Sequence, residues 1–143
     1  MPLNFALLLE KVGRVDEALV WAERVATIVD PLQGASLSPI VPARGLLIKG
    51  RCLASKGQAD EAEEALSSAA KKFDGSGWFL GEVLALRDLL VCVLRPAGRE
   101  GEGIGRLKES IVRLLGAEPT EEDLDVLDRS LGDDVDVATV MSA

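Results

Sequence analysis

Apolar residues recur along this chain at intervals of three and four. Val15, Ala18, Leu19, Ala22, Val25, Ala26 and Val29 mark an amphipathic helix that ends near Asp30 and is stopped by Pro31. Before it, Leu3 to Val12 reads as a short apolar helix broken by Gly13. After it, Pro31 to Pro42 carries three prolines, Gly34 and small residues, and reads as a loop. Ala43, Leu46, Leu47, Gly50, Leu53 and Ala54 predict a third helix, ended by Gly57. Ala59, Ala62, Leu66, Ala69 and Phe73 predict a fourth, followed by a turn at Asp74-Gly75-Ser76-Gly77. From Trp78 to Leu94 the chain is apolar on nearly every side, interrupted by Glu82, Arg87 and Asp88. A helix of that kind is buried between neighbours. Pro96 and Gly98 end it, and Ile104, Leu107, Ile111, Leu114 and Leu115 mark a sixth, stopped by Gly116. Thr120-Glu121-Glu122-Asp123 reads as a capping box with Asp at its last position, opening a short seventh helix through Leu124, Leu127 and Leu131. The expected fold class is all-α, with six or seven helices and a frayed end beyond Gly132.

Three segments align on their glycines: Gly13-Arg14-Val15-Asp16-Glu17-Ala18, Gly57-Gln58-Ala59-Asp60-Glu61-Ala62 and Gly98-Arg99-Glu100-Gly101-Glu102-Gly103. Each places a glycine where a helix must end at positive φ, and a small residue five positions later. Acids in the following first turn suit the positive end of the helix dipole. The small residue lets paired helices approach closely. Self-similarity at such a spacing is the signature of a stacked helical hairpin.

These segments resemble the tetratricopeptide repeat. In the middle unit Leu46, Gly50, Leu53, Gly57, Ala62, Leu66 and Ala69 stand at its large, small and turn positions. The first unit matches from Leu9 through Gly13, Ala18, Ala22 and Val25 to Pro31; the third has Gly103 for the alanine, then Leu107. The spacing exceeds the family's period of about 34 residues. The resemblance implies a right-handed antiparallel helical-hairpin array, a tetratricopeptide-like α-solenoid of about three hairpins plus a C-terminal helix. Its units would span about 3–31, 43–74 and 78–115, with a capping helix at 120–131 closing a domain of 1–131 and an acidic mobile tail at 132–143.

The resemblance further implies partner binding by the wall of first helices. Its exposed positions carry over to Arg44, Leu47, Arg51 and Ala54 in the middle unit, and to Ala85, Asp88, Cys92 and Arg95 in the third. Arg44 and Arg51 share a helix face, as do Asp88 and Arg95 at the same seven-residue spacing. Arg suits bidentate carboxylate recognition, and the competing reading is a solvated face with pairs inside the chain. The Lys and Asn set of the carboxylate-clamp form is absent, so chaperone C-termini are not expected partners. Trp21 lies opposite its helix's Ala stripe and is a second candidate contact.

Composition narrows the chemistry. Without His there is no imidazole base and no His-ligated metal. Cys52 and Cys92 sit far apart in apolar runs, which points to free buried thiols and an intracellular, reducing compartment, either cytoplasm or an organelle after presequence removal. No apolar run is long enough to span a membrane. Leu and Ala supply 23 and 17 residues and aromatics only five, which favours helices. Residues 118–143 hold nine acids and one base, so the net charge of −8 lies there and the body is neutral. An acidic tail repels phosphate backbones, so nucleic acid is not an expected partner. No nucleophile stands with a base, and the glycines from 98 to 105 follow a helix, so no enzyme, metal or cofactor is expected.

The expected function is an interaction scaffold or structural subunit of a larger assembly, binding another protein or peptide. Leu7, Leu8 and Leu9 in the abbreviated first helix suit a segment of a longer array or a covered end. The alternative is a ligand- or peptide-sensing domain of a regulatory protein. A pocket flanked by Arg would favour that alternative; a flat groove would favour the scaffold.

Overall fold

The computed structural model describes residues 2–26, 40–116 and 118–143. It is all-helical, with no strand among the described residues. In order these are α1 (Pro2–Lys11), α2 (Val15–Ala26), α3 (Ile40–Ser55), α4 (Ala59–Ser76), α5 (Phe79–Leu89), α6 (Glu100–Leu115), α7 (Glu121–Leu131) and α8 (Val137–Met141). Between α5 and α6 the helix continues unbroken as a π-helical turn over Leu90–Leu94.

Each helix from α1 to α6 packs on the next, and the odd-numbered helices also touch, α1 on α3 and α3 on α5. The three aligned glycines make the turns. Gly13, Gly57 and Gly98 have φ of 83°, 78° and 75°. All three turns are bonded alike: Arg14 N–H donates to Leu9 C=O at 2.9 Å, Gln58 N–H to Leu53 C=O at 2.9 Å, and Arg99 N–H to Leu94 C=O at 2.8 Å. This is the Schellman closure, which satisfies carbonyls the helix leaves without partners. The close-contact positions behave as the alignment requires, with Ala18 and Ala62 fully buried. Gly103 is buried too, and a Cβ there would meet Leu90 Cδ1 at 2.7 Å, so an alanine in the third hairpin would require the Leu90 side chain to shift.

The core runs from α3 to α8, with a smaller cluster of Ala6, Leu9, Ala18, Ala22, Ile48 and Cys52 under α1 and α2. The apolar helix is packed from both sides: Val83, Ala85, Leu86, Leu89, Leu90 and Val93 are all buried. Its most buried carboxylate, Glu82, is held by Ser110 Oγ at 2.5 Å and Arg113 Nη2 at 2.7 Å, which pins α6 to α5.

The helix boundaries depart from the sequence reading in three places. The predicted loop to Pro42 and the unit start at 43 are corrected, since α3 begins at Ile40 with Pro42 buried in its first turn. Proline is tolerated there because the first N–H groups of a helix have no intrahelical acceptor. The end of α2 near Asp30 and the loop over 31–39 lie outside the described residues. The predicted turn at 74–77 is instead the last turn of α4, closed at Gly77. Beyond Gly132 the boundary at 131 does not end the packed region, because Val135, Val137 and Val140 are buried and Val137–Met141 is helical. The nine acids outweigh these valines in any composition count, and that masked them.

Candidate functional site

The face shared by α1, α3 and α5 carries a half-open cavity of about 160 Å³. Leu7 comes from α1, Arg44, Leu47, Ile48 and Arg51 from α3, and Gly81 and Leu84 from α5, with Phe73 of α4 and Trp78 of the α4–α5 turn closing it. The lining is apolar apart from the two arginines. Trp78 stands edge-on to Phe73, ring centres 5.2 Å apart at 73°. Gly81 admits this arrangement, because a Cβ there would meet Phe73 Cδ1 at 2.5 Å. The α4–α5 turn fixes the backbone that carries the indole, since the Trp78 backbone N–H donates to Phe73 C=O at 3.1 Å.

At one end of the cavity the charges form a ladder across the helices. Arg51 grips Glu10 of α1 with two bonds of 2.8 Å, Nε to Oε2 and Nη2 to Oε1. Its Nη1 donates to Asp88 Oδ2 of α5 at 3.0 Å. Arg87 donates to the other Asp88 oxygen from Nε at 3.0 Å and Nη2 at 2.9 Å. Arg87 Nη1 then reaches the Leu131 carbonyl at the end of α7, at 3.1 Å. Burial alone would weaken the Arg51 charge. The Glu10 bonds and both carboxylates outweigh it and hold the guanidinium above its ordinary value.

At the other end Arg44 is exposed, and its guanidinium lies 5.5 Å from the Trp78 ring centre. Arg44, Leu47 and Arg51 therefore do converge on one site. Asp88 joins them through Arg51, but it and Ala85 are buried rather than on an open wall. Arg95 does not pair with Asp88. The π-helical turn between them widens the helix, so seven residues no longer return to the same face. Arg95 instead meets Glu100 at 3.4 Å and the Asp134 carbonyl at 3.0 Å. Trp21 lies away from the cavity, half-buried beside the α1–α3 cluster with Arg24 4.7 Å from its ring centre. Cys92 is half-buried, its thiol pushed up by burial and then by Asp88.

Glu10, Arg87 and the Trp78–Phe73 pair are the contributors that sequence reasoning did not place here. A signal existed for the first two: each is a charge inside an apolar stretch, which a buried helix tolerates only when paired. Among the described residues no cluster of His, Cys, Asp or Glu could hold a metal ion, and no helix is long and apolar enough to cross a membrane. Comparison with family models, with curated proteins and with solved structures finds no match to this chain.

Proposed function

We propose that this chain is a tetratricopeptide-like array whose first helices, α1, α3 and α5, form a right-handed concave wall that binds a segment of a partner protein. It serves as a scaffold or subunit of a larger assembly. The observation that carries this reading is the apolar cavity spanning three helices on one face, with an exposed arginine at its rim. The three identically bonded turns support the repeat, and the charge ladder supports a rigid wall, since it ties α1, α3 and α5 together. A pre-formed site of this kind spends little free energy on ordering when a partner docks.

A second reading has one observation in its favour: the face holds a pocket between two arginines rather than a flat groove. A ligand-sensing domain would use it for a small amphipathic acid. Selection of random peptides on the immobilised chain, alongside titration with octanoate, separates the two. The scaffold reading expects enriched peptides whose binding is lost in Leu84→Asp and kept in Lys72→Ala, which lies away from the cavity. Peptides indifferent to Leu84→Asp overturn the site. Saturable octanoate binding with no enriched peptide moves the assignment to the sensor.

A further inference from the structure

Four arginines stand on or beside the α1–α3–α5 face, and three of them are already engaged. Arg51 is bonded to Glu10 and Asp88, Arg87 to Asp88 and the Leu131 carbonyl, and Arg95 to Glu100 and the Asp134 carbonyl. Arg44 makes no ion pair among the described residues; its guanidinium lies over the face of Trp78. An aromatic face orients a guanidinium but satisfies none of its five in-plane N–H donors. Glu10 and Asp88 stand against Arg51 and Arg87, so Arg44 is the excess charge of the site.

We infer that Arg44 is the anion-recognising residue of this site, and that the occupant is a peptide segment with a large aliphatic side chain in the cavity and a neighbouring Asp or Glu side-chain carboxylate on Arg44. This rests on the reading that the face binds a partner segment. The cavity supplies the first half: its lining is apolar, and 160 Å³ admits one such side chain. The Trp78 contact supplies the second, because a guanidinium fixed in plane loses less freedom on forming a bidentate pair. Spacing selects the side-chain carboxylate. Arg44 stands three and four residues before Leu47 and Ile48 of the lining, a rise of about 5 Å along α3. A chain terminus carries its carboxylate and side chain on a single Cα and draws both to one point. An acid neighbouring the anchor spans a helical turn.

The test uses the full chain with Trp21→Phe, leaving Trp78 as the sole indole. The probe is an acetylated, amidated hexapeptide, Ala-Ala-Leu-Glu-Ala-Ala. It is compared with its Leu-Gln and Ala-Glu forms and with a free-acid peptide ending in Leu. The Leu-Glu peptide should shift Trp78 emission saturably, and the Gln form should bind about tenfold more weakly. Arg44→Gln should abolish that difference between the Glu and Gln forms, and Arg44→Lys should restore part of it. Equal binding of Glu and Gln forms overturns the inference and leaves the broader reading standing. Tighter binding of the free-acid peptide overturns the side-chain source. No shift of Trp78 by any of the four overturns both.

Discussion

Arg51 on α3 and Asp88 on α5 are joined at 3.0 Å, across an interface between segments 37 residues apart in the chain. Asp88 is only 5% exposed, so its charge has lost most of its water. A desolvated carboxylate survives only with good partners. Arg51→Met takes one partner from Asp88 and, among the described residues, the one ion-pair partner of Glu10. The expected cost is about 1–3 kcal/mol, between the values for exposed and fully buried pairs. Thermal unfolding checks it, and a cycle with Asp88→Asn should show coupling between the two positions. Additive losses would mean that the ladder contributes no cohesion.

Why this ladder was only half legible follows from what sequence carries. Arg44, Leu47 and Arg51 lie on one helix, and helical periodicity alone places them together. Glu10 and Asp88 come from other hairpins, and nothing local says which carboxylate meets which guanidinium. The glycine turns and the capping box were legible because each is a local device with a sequence signature; Thr120 Oγ1 does accept from Asp123 N–H at 3.1 Å. Arg95 was misplaced because seven-residue spacing assumes an unbroken α-helix, and a π-helical turn has no comparable signature.

The glycines sort by what surrounds them. A Cβ at Gly101 or Gly105 meets nothing within 4 Å, and neither has positive φ. Both lie inside α6, where glycine costs backbone entropy. Gly101→Ala and Gly105→Ala should each stabilise by about 0.4–1 kcal/mol. Gly45→Ala should do the reverse, because its Cβ would sit 2.5 Å from the Ala26 backbone nitrogen, which cannot swing aside. Denaturant midpoints of the three variants give the ranking, and a stabilising Gly45→Ala would mean that α2 and α3 are not in this contact.

Ala62 is fully buried at the start of the second hairpin's return helix. Ala62→Leu adds volume where no space exists and should destabilise by about 1–3 kcal/mol. A neutral result in urea unfolding would dismiss the close-contact role of this position.

Cys52 is buried, and its thiol is pushed up to about 11, chiefly by that burial, with the Glu10 charge adding. Its ordinary value is 9.0, so the unfolded chain releases the proton first as pH rises. The contribution to stability is therefore complete below about pH 9 and is lost between pH 9 and 11. Cys52→Ala should flatten that part of the stability profile. In the native chain at pH 8, iodoacetamide should label half-buried Cys92 before Cys52, read by peptide mass spectrometry. Faster labelling of Cys52 would mean that the α1–α3 contact opens readily.

The acidic C-terminal segment is held by its apolar residues. Charge cannot do it, because exposed pairs contribute under about 1 kcal/mol each. Leu127 and Leu131 are buried, as are Val135, Val137 and Val140, and α8 lies against α6. The polar contacts then set the geometry: Val137 N–H donates to Asp128 Oδ1 at 3.1 Å, and Arg87 holds the Leu131 carbonyl. A stop after Gly132 removes the three valines and leaves both leucines. It should lower the melting temperature and raise binding of a hydrophobic dye to the uncovered α6 surface. Val137→Ala or Val140→Ala should each reproduce part of this, at about 1–2 kcal/mol, by leaving a small void where two methyl groups were. Reversing charge by Asp133→Lys, at an exposed position, should change neither quantity appreciably. Should the charge variant prove the more damaging, the acids would be the fastening and the valines incidental.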